Sequence, residues 1–320
     1  MSFTQPDQII SAQTTNQIMM VRPRNFGFNP ETAEDNVFQT PVAKKDLKAV
    51  AVAGIEEFDA FVEKLRAAGV DVHVIQDSDQ PEKRDAIYPN NWITTHADGL
   101  IVTYPMLSES RRLERRPEII NYLEENFQVS RRLTLESWEE QDLILEGTGS
   151  MILDRENRIV YCSLSQRADE PALRDWAEAM RYEVCAFHSE GESGKPIYHT
   201  NVLMALGTTH AVICLDVIPN PLERRAVVEK LESTGKKIVE ISNAQVDQFA
   251  GNMLEVVGTD GPIWSMSSSA FNALTPDQRE ELSNGGKTQL LHSDLSTIEQ
   301  HGGGSARCMM AELFLPENQS

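Results

Sequence analysis

The sequence predicts an α/β fold built from repeated ββαβ units in a closed radial arrangement, and three observations carry that expectation. Five segments place a small or polar cluster ahead of an apolar, β-rich run: IYPNNWITTHADGLIVTYPM, LILEGTGSMILDRENRIVYCSLSQR, IYHTNVLMALGTTHAVICLDVI, QFAGNMLEVVGTDGPIWSMSSS and HGGGSARCMMAELFLP. Helical patterns with capping cues alternate with them: IEEFDAFVEKLRAAGV, RPEIINYLEENF, EPALRDWAEAMRYE, NPLERRAVVEKLESTG and TPDQREELSNGG. The polar anchors recur at nearly constant separation: 55 positions from Asn91 to Glu146, 55 from Glu146 to Asn201, 51 from Asn201 to Asn252 and 56 from Asn252 to Cys308. A period of that length marks a solenoid or a propeller.

In each of the first four segments two strand-like stretches flank a turn, HADG, DREN, LGTTH and GTDG in order, which is a hairpin signature. The fifth segment finds its partner in the N-terminal QIMMVRPRNF, so the last unit closes against the first and a ring is preferred to an open solenoid. Residues 1–320 then form one propeller domain. Equivalent positions of a ring meet at its axis, which brings Asn91, Glu146, His199, Asn201 and Cys308 to one centre although they are far apart in the chain.

Composition bounds the chemistry. The 320 residues carry a net charge of -20, with 24% charged and 40% hydrophobic residues, an ordinary globular balance. The acidic excess repels phosphate backbones and anionic lipid, so neither nucleic acid nor membrane is an expected partner. Arg111, Arg112, Arg115 and Arg116 are interleaved with Glu114 and Glu118 and read as a solvated helix face. The N-terminal MSFTQPDQIISAQTTNQ lacks the basic and apolar regions of a signal peptide, and the expected location is the cytoplasm.

The four cysteines show no CxxC pairing, which argues against a zinc site and a disulfide framework. Cys162, Cys185 and Cys214 lie in apolar strand-like runs as inert thiols. Cys308 follows the glycine-rich turn HGGGSAR, where the backbone can approach a ligand closely. A thiolate is a nucleophile, and a histidine that exchanges protons with it and with a leaving amine is a general acid and base. His199, in YHTN, suits that part. Glu146, between an apolar run and GTG, is a costly buried charge unless it orients the histidine or holds a substrate N–H. Two look-alikes fall away. GESGK carries Ser189 and Pro196 where a phosphate loop needs Gly and Ser/Thr, and HGGG has no accompanying GxSxG.

These residues resemble the guanidino-group-modifying superfamily of arginine deiminases, dimethylarginine hydrolases and amidinotransferases. LEGTG is similar to its glutamate motif, YHTN to its His-bearing strand and GGGSARCM to its cysteine loop, so the likeness runs over nearly the whole chain. MMVRPRNFGFNPET, PNNW and FAGN look like the bacterial citrulline-utilisation subgroup. The resemblance implies a five-bladed α/β propeller, with Cys308 attacking a guanidinium or ureido carbon and His199 protonating the leaving amine. It assigns the substrate carboxylate to Arg167 and to Arg115, with Arg112 as an open alternative, and implies a substrate contact for Asn29. Arginine-binding members carry aspartates where this chain has Asn91 and Asn201. A guanidinium is all donors and wants carboxylates, whereas a neutral ureido group also offers a carbonyl. Citrulline hydrolysed to ornithine, ammonia and carbon dioxide is therefore the first expectation, without metal or organic cofactor.

Arginine deiminase, arginine dihydrolase, amidinotransferase, a non-catalytic arginine or citrulline sensor and an acidic scaffold are the alternatives. The expected partner is the small-molecule amino acid, and a homodimer is compatible with the sequence.

Overall fold

The computed structural model describes residues 11–191 and 194–318. Most of the stretch read for a leader, and two positions of GESGK, lie outside the described residues.

The described residues form five three-stranded sheets. Strand β1 (Gln17–Arg22) leads through helix α1 (Leu47–Ala67) to its parallel partner β2 (Asp71–Gln76). Strands β3 (Ile93–Thr95) and β4 (Leu100–Thr103) form an antiparallel hairpin, and α2 (Glu109–Arg112) and α3 (Pro117–Asn126) return the chain to β5 (Arg131–Thr134), parallel to β4. The unit then repeats. After α4 (Gly147–Ser150), the hairpin of β6 (Met151–Asp154) and β7 (Ile159–Leu164) is followed by α5 (Glu170–Met180) and the parallel β8 (Glu183–His188). After α6 (Thr200–Leu203), β9 (Met204–Leu206) and β10 (His210–Ile213) are followed by α7 (Pro221–Ser233) and β11 (Lys237–Glu240). After α8 (Asn243–Val246), β12 (Leu254–Gly258) and β13 (Gly261–Ser267) are followed by α9 (Ser268–Ala273), α10 (Pro276–Ser283) and β14 (Gln289–Ser293). Helix α11 (Ser296–Gly302) precedes β15 (Ala311–Glu312), which pairs antiparallel with β1. Each end of the chain thus contributes a strand to one sheet, as the sequence reading of its last segment expected.

Hairpins suffice for four of the antiparallel pairs and the fifth joins β1 to β15 across the chain, while each parallel pair needs a crossover, and the helices supply it. Their sequences say where they start: α3, α5, α7 and α10 each carry proline in the first turn, where its missing N–H costs nothing. Thr275 and Gln278 complete a capping box on α10. Helix α5 buries Leu173, Trp176, Ala177 and Met180 at helical spacing, and β4, β6, β9 and β10 are buried throughout.

The fold also explains the regular anchors. Each lies in the short turn or helical turn leading into the first strand of a sheet: Asn91 in the 3₁₀ turn Pro89–Asn91, Glu146 at the N-cap of α4, His199 at the N-cap of α6 with Asn201 one step inside it, Asn252 just before β12, and Cys308 in the 3₁₀ turn Ala306–Met309. These lead-in turns touch one another: α4 meets the turn at Pro89–Asn91 and α6, and that same turn meets the one bearing Cys308. Among the described residues no helix is long and apolar enough to cross a membrane, and no group of three or more His, Cys, Asp or Glu could hold a metal ion.

Candidate active site

Glu146 and His199 form the central pair. The Glu146 carboxylate is fully buried; Oε1 accepts from the Leu107 N–H at 3.0 Å and Oε2 lies 2.8 Å from His199 Nε2. Burial works to raise its pKa, but the nearby Arg167, the His199 bond and Arg111 outweigh it and hold Glu146 at about 2. His199 moves down, because burial outweighs the pull of Glu146 and the cations Arg167 and Arg111 add to the same effect. At neutral pH the pair is therefore carboxylate and neutral imidazole. Since an ionised carboxylate only accepts, Nε2 carries the proton, and Nδ1 keeps its lone pair free for a proton in transit.

Gly149 makes room for this arrangement: a Cβ there would stand 2.3 Å from Asn91 Nδ2 and 2.7 Å from His199 Cε1.

Both arginines nearest Glu146 line the cavity. Arg111 grips Glu114 through Nε and Nη2, each at 2.9 Å, and donates from Nη1 to Asn91 Oδ1 at 2.8 Å. Arg167 holds Asp35 through Nε at 2.7 Å and Nη2 at 2.5 Å, and its guanidinium lies 4.9 Å over the Tyr198 ring. Burial works against both charges, yet neighbouring carboxylates keep both arginines above their ordinary value.

Asp85, also buried, lines the same cavity. Its Oδ2 accepts from Asn29 Nδ2 at 2.8 Å and Thr32 at 3.2 Å, and its Oδ1 has no partner. Burial raises its pKa against the lowering effect of Arg111, the Asn29 bond and Arg167.

Cys308 lines the same cavity. Its Sγ lies 3.4 Å from Asn201 Nδ2 and 3.3 Å from Asn252 Nδ2. The glycine run before it packs on Tyr88: a Cβ at Gly302 would meet Tyr88 Oη at 2.0 Å, and one at Gly304 would meet the Tyr88 ring at 3.0 Å and Sγ at 3.3 Å. Asn91 Nδ2 and Asn201 Oδ1 are buried without hydrogen-bond partners. Groups left so in a native fold call for a ligand or water. The walls of the cavity also comprise Tyr88, Tyr198, Thr32, Asn36 and Gln39.

The structure therefore brings Asn91, His199, Arg167 and Cys308 to one cavity, with Glu146 and Asn201 directly behind His199 and Sγ. It does not bring Arg115 there. That guanidinium is held by Glu139 and the Tyr104 carbonyl, and Arg112 shares Glu139 at 3.2 Å. The arginine of this run that faces the cavity is Arg111, and at 3% exposure it corrects the reading of the run as a wholly solvated face. Asn29 is one shell away, behind Asp85. Cys162, Cys185 and Cys214 are free and buried, and burial pushes the Cys162 thiol up to about 12 and Cys185 to about 11. Asp85, Arg111 and Tyr88 carry no mark in the sequence, because neither spacing nor motif in KRDAIYP or SESRRLE distinguishes them from surface residues; Tyr198 is the neighbour of His199 in YHTN.

The chain matches the family model described as N,N dimethylarginine dimethylhydrolase, eukaryotic, over residues 22–315. No curated protein matches it by sequence. In fold it is similar to the N-terminal domain of ArgZ, an arginine dihydrolase from the ornithine-ammonia cycle in cyanobacteria, with a TM-score of 0.70 at 16% identity, covering 94% of this chain and 98% of that domain. It is similar to unliganded AgrE, with a TM-score of 0.70 at 17% identity, over 95% of this chain but 40% of AgrE. A dimethylarginine dimethylaminohydrolase solved as an adduct with S-methyl-L-thiocitrulline gives a TM-score of 0.63 at 14% identity, covering 93% and 99% of the two chains. All three share the fold of five small sheets.

Proposed function

The chain belongs to the N,N-dimethylarginine dimethylhydrolase family within the guanidino-group-modifying superfamily, and from that premise we propose that it is a cysteine hydrolase of a free ureido amino acid, citrulline first. Its five sheets close radially into a propeller, and residues 1–320 act as one catalytic domain that needs no cofactor. One observation carries the choice of substrate: the amides with an unpaired group beside Cys308 are those of Asn201, whose Nδ2 lies 3.4 Å from Sγ and whose Oδ1 is unpaired, and of Asn91, whose Nδ2 is unpaired, and among the described residues no carboxylate bonds to the sulfur. Amides offer donors to a ureido oxygen and acceptors to its N–H groups, whereas a guanidinium has no acceptor to match the donors.

The charged groups of the same cavity suit a zwitterion. Arg111 and Arg167 take the α-carboxylate by charge-assisted hydrogen bonds, the second exchanging or sharing its contact with Asp35. The unpaired Asp85 Oδ1 takes the α-ammonium, and Asn29 positions Asp85 rather than touching substrate. Cys308 Sγ attacks the ureido carbon, and His199 Nδ1 receives the thiol proton. As the carbon–nitrogen bond breaks, His199 passes that proton to the departing amine, so ornithine leaves and a carbamoyl thioester remains. Water then attacks the thioester and gives a proton to His199. The sulfur leaves and recovers the proton, and the carbamate decomposes to ammonia and carbon dioxide. Throughout, Glu146 holds the imidazole by Nε2 and stabilises its charged form.

Arginine is the second reading, favoured by the arginine dihydrolases that share the fold. Intact-mass spectrometry of acid-quenched turnover tests the first: citrulline should add one carbamoyl group to wild-type protein and nothing to Cys308→Ser. An adduct formed from arginine and none from citrulline would replace the first reading by the second.

A further inference from the structure

We propose that Asn252 is a catalytic residue: it is a fixed hydrogen-bond donor to Cys308 Sγ that stabilises the sulfur's negative charge before attack and again when the thioester breaks. The inference rests on Cys308 being the nucleophile, and it concerns a residue that no feature of the proposed substrate requires.

The case begins with the backbone. Asn252 ends the FAGN turn, in which Phe249 adopts a left-handed φ of 57°. Gly251 abuts the main chain of α6, where an added Cβ would fall 2.5 Å from the Val202 carbonyl oxygen and 2.7 Å from the Leu203 carbonyl carbon. That approach sets Asn252 beside Asn201 and beneath the turn bearing Cys308. Its side chain is wholly buried.

Every polar atom of that side chain is then accounted for. Oδ1 accepts the Arg307 N–H at 3.0 Å and lies 3.7 Å from Cys308 Sγ, where it also accepts from the protonated thiol. Nδ2 donates to the Asn201 main-chain oxygen at 2.8 Å and to Cys308 Sγ at 3.3 Å. Turning the amide over would set Oδ1 against a carbonyl and Nδ2 against an N–H, losing two hydrogen bonds at once. The orientation is thus dictated by neighbours on both sides, and one N–H must point at sulfur. Asn201 differs. Its Nδ2 also reaches Sγ, at 3.4 Å, but its Oδ1 has no partner, so its amide is free to turn toward a substrate. Of the two donors, Asn252 stays on the sulfur.

An N–H donor favours the charged form of its acceptor. In the first half-reaction the sulfur gives up its proton to His199 and forms the bond to carbon. In the second the sulfur–carbon bond breaks and its electron pair returns to sulfur, where the N–H of Asn252 meets it. A more stable thiolate is a weaker nucleophile, with rate rising only as about the 0.4–0.5 power of basicity. A donor on the sulfur therefore changes attack less than it changes departure of the sulfur, where the returning electron pair meets the N–H directly.

The test is the pH dependence of Cys308 alkylation by iodoacetamide in substrate-free protein, located by peptide mass spectrometry. Asn252→Ala and Asn252→Asp are compared with wild type; the aspartate keeps the volume and the acceptor for the Arg307 N–H but sets an oxygen against the Asn201 carbonyl, so circular dichroism and a melting curve check that both variants keep the fold. Both should move the rise of alkylation upward by about one pH unit or more, and lower kcat by roughly tenfold or more with KM within about threefold. Folded variants with the wild-type alkylation profile and kcat would overturn the inference while leaving the proposed function standing. Wild-type protein that is alkylated at Cys308 but turns over no ureido or guanidino amino acid would instead sink the proposed function.

Discussion

Gly149 has no room for a methyl group, and the Gly149→Ala variant follows the consequence into catalysis. The backbone there is not in the left-handed region, so alanine itself is conformationally acceptable. The obstacle is packing: the new Cβ would stand about 1 Å inside ordinary van der Waals contact with Asn91 Nδ2 and somewhat less inside it with the His199 ring. Neither yields freely, since Asn91 is tied to Arg111 at 2.8 Å and His199 to Glu146 at 2.8 Å. Overpacking of this kind costs about 1–3 kcal/mol, which lowers the melting temperature by several degrees at most and leaves the protein folded. A displacement near 1 Å in an acid–base group, however, costs about 10²-fold in rate. The expected outcome is a folded protein whose kcat/KM falls about a hundredfold, measured by ornithine release beside a melting curve. Full activity with a lowered melting temperature would show that the His199–Asn91 geometry does not govern the reaction.

Three further outcomes follow from the charges. Glu146 sits at about 2 when folded against about 4.5 for an ordinary glutamate, so it contributes stability above pH 4.5 that is lost as pH falls toward 2, about 3 kcal/mol as an order of magnitude. Glu146→Gln should therefore flatten the melting temperature between those pH values and reduce kcat about 10²-fold or more; an unchanged acid limb would refute the assignment. Asp85 has the opposite sign: its folded pKa is raised by burial, so its contribution is full below the ordinary carboxylate range and is lost as pH rises through the folded value. Asp85→Asn should make the ligand-free protein no less stable at neutral pH while raising KM for citrulline about 10²-fold, and an unchanged KM would remove Asp85 from ammonium recognition. Finally, Arg111→Lys should raise KM by about 10²-fold because a lysine cannot reproduce the forked contacts, whereas Arg115→Lys should leave KM within about twofold. Steady-state kinetics on the two variants separates the cavity arginine from the one held by Glu139.

The units were legible because each hairpin and each proline-started helix carries its own local signal, and the short turns before the first strands fall at one period. Cys308, His199 and Glu146 were legible for a different reason: a thiol after three glycines, and polar groups set against apolar runs, are locally out of place. Arg111 was hidden because it belongs to a four-arginine run whose other members do meet solvent or Glu139, and only the fold of α2 turns that one inward. Asp85 has an ordinary surface context in KRDAIYP, and its burial arises from the segment of Asn29 and Thr32 folding over it from the other side of the chain. Asn252 appeared in the sequence as a spacing anchor, but its contact with sulfur depends on Gly251 meeting α6, a tertiary approach with no local mark.

The most direct measurement is ornithine and ammonia release from citrulline and from arginine by wild-type protein and by Cys308→Ala. Release of both products from citrulline by wild type alone, with arginine untouched, is the predicted result; turnover of arginine with none of citrulline would contradict the match between the amides of Asn91 and Asn201 and a ureido group.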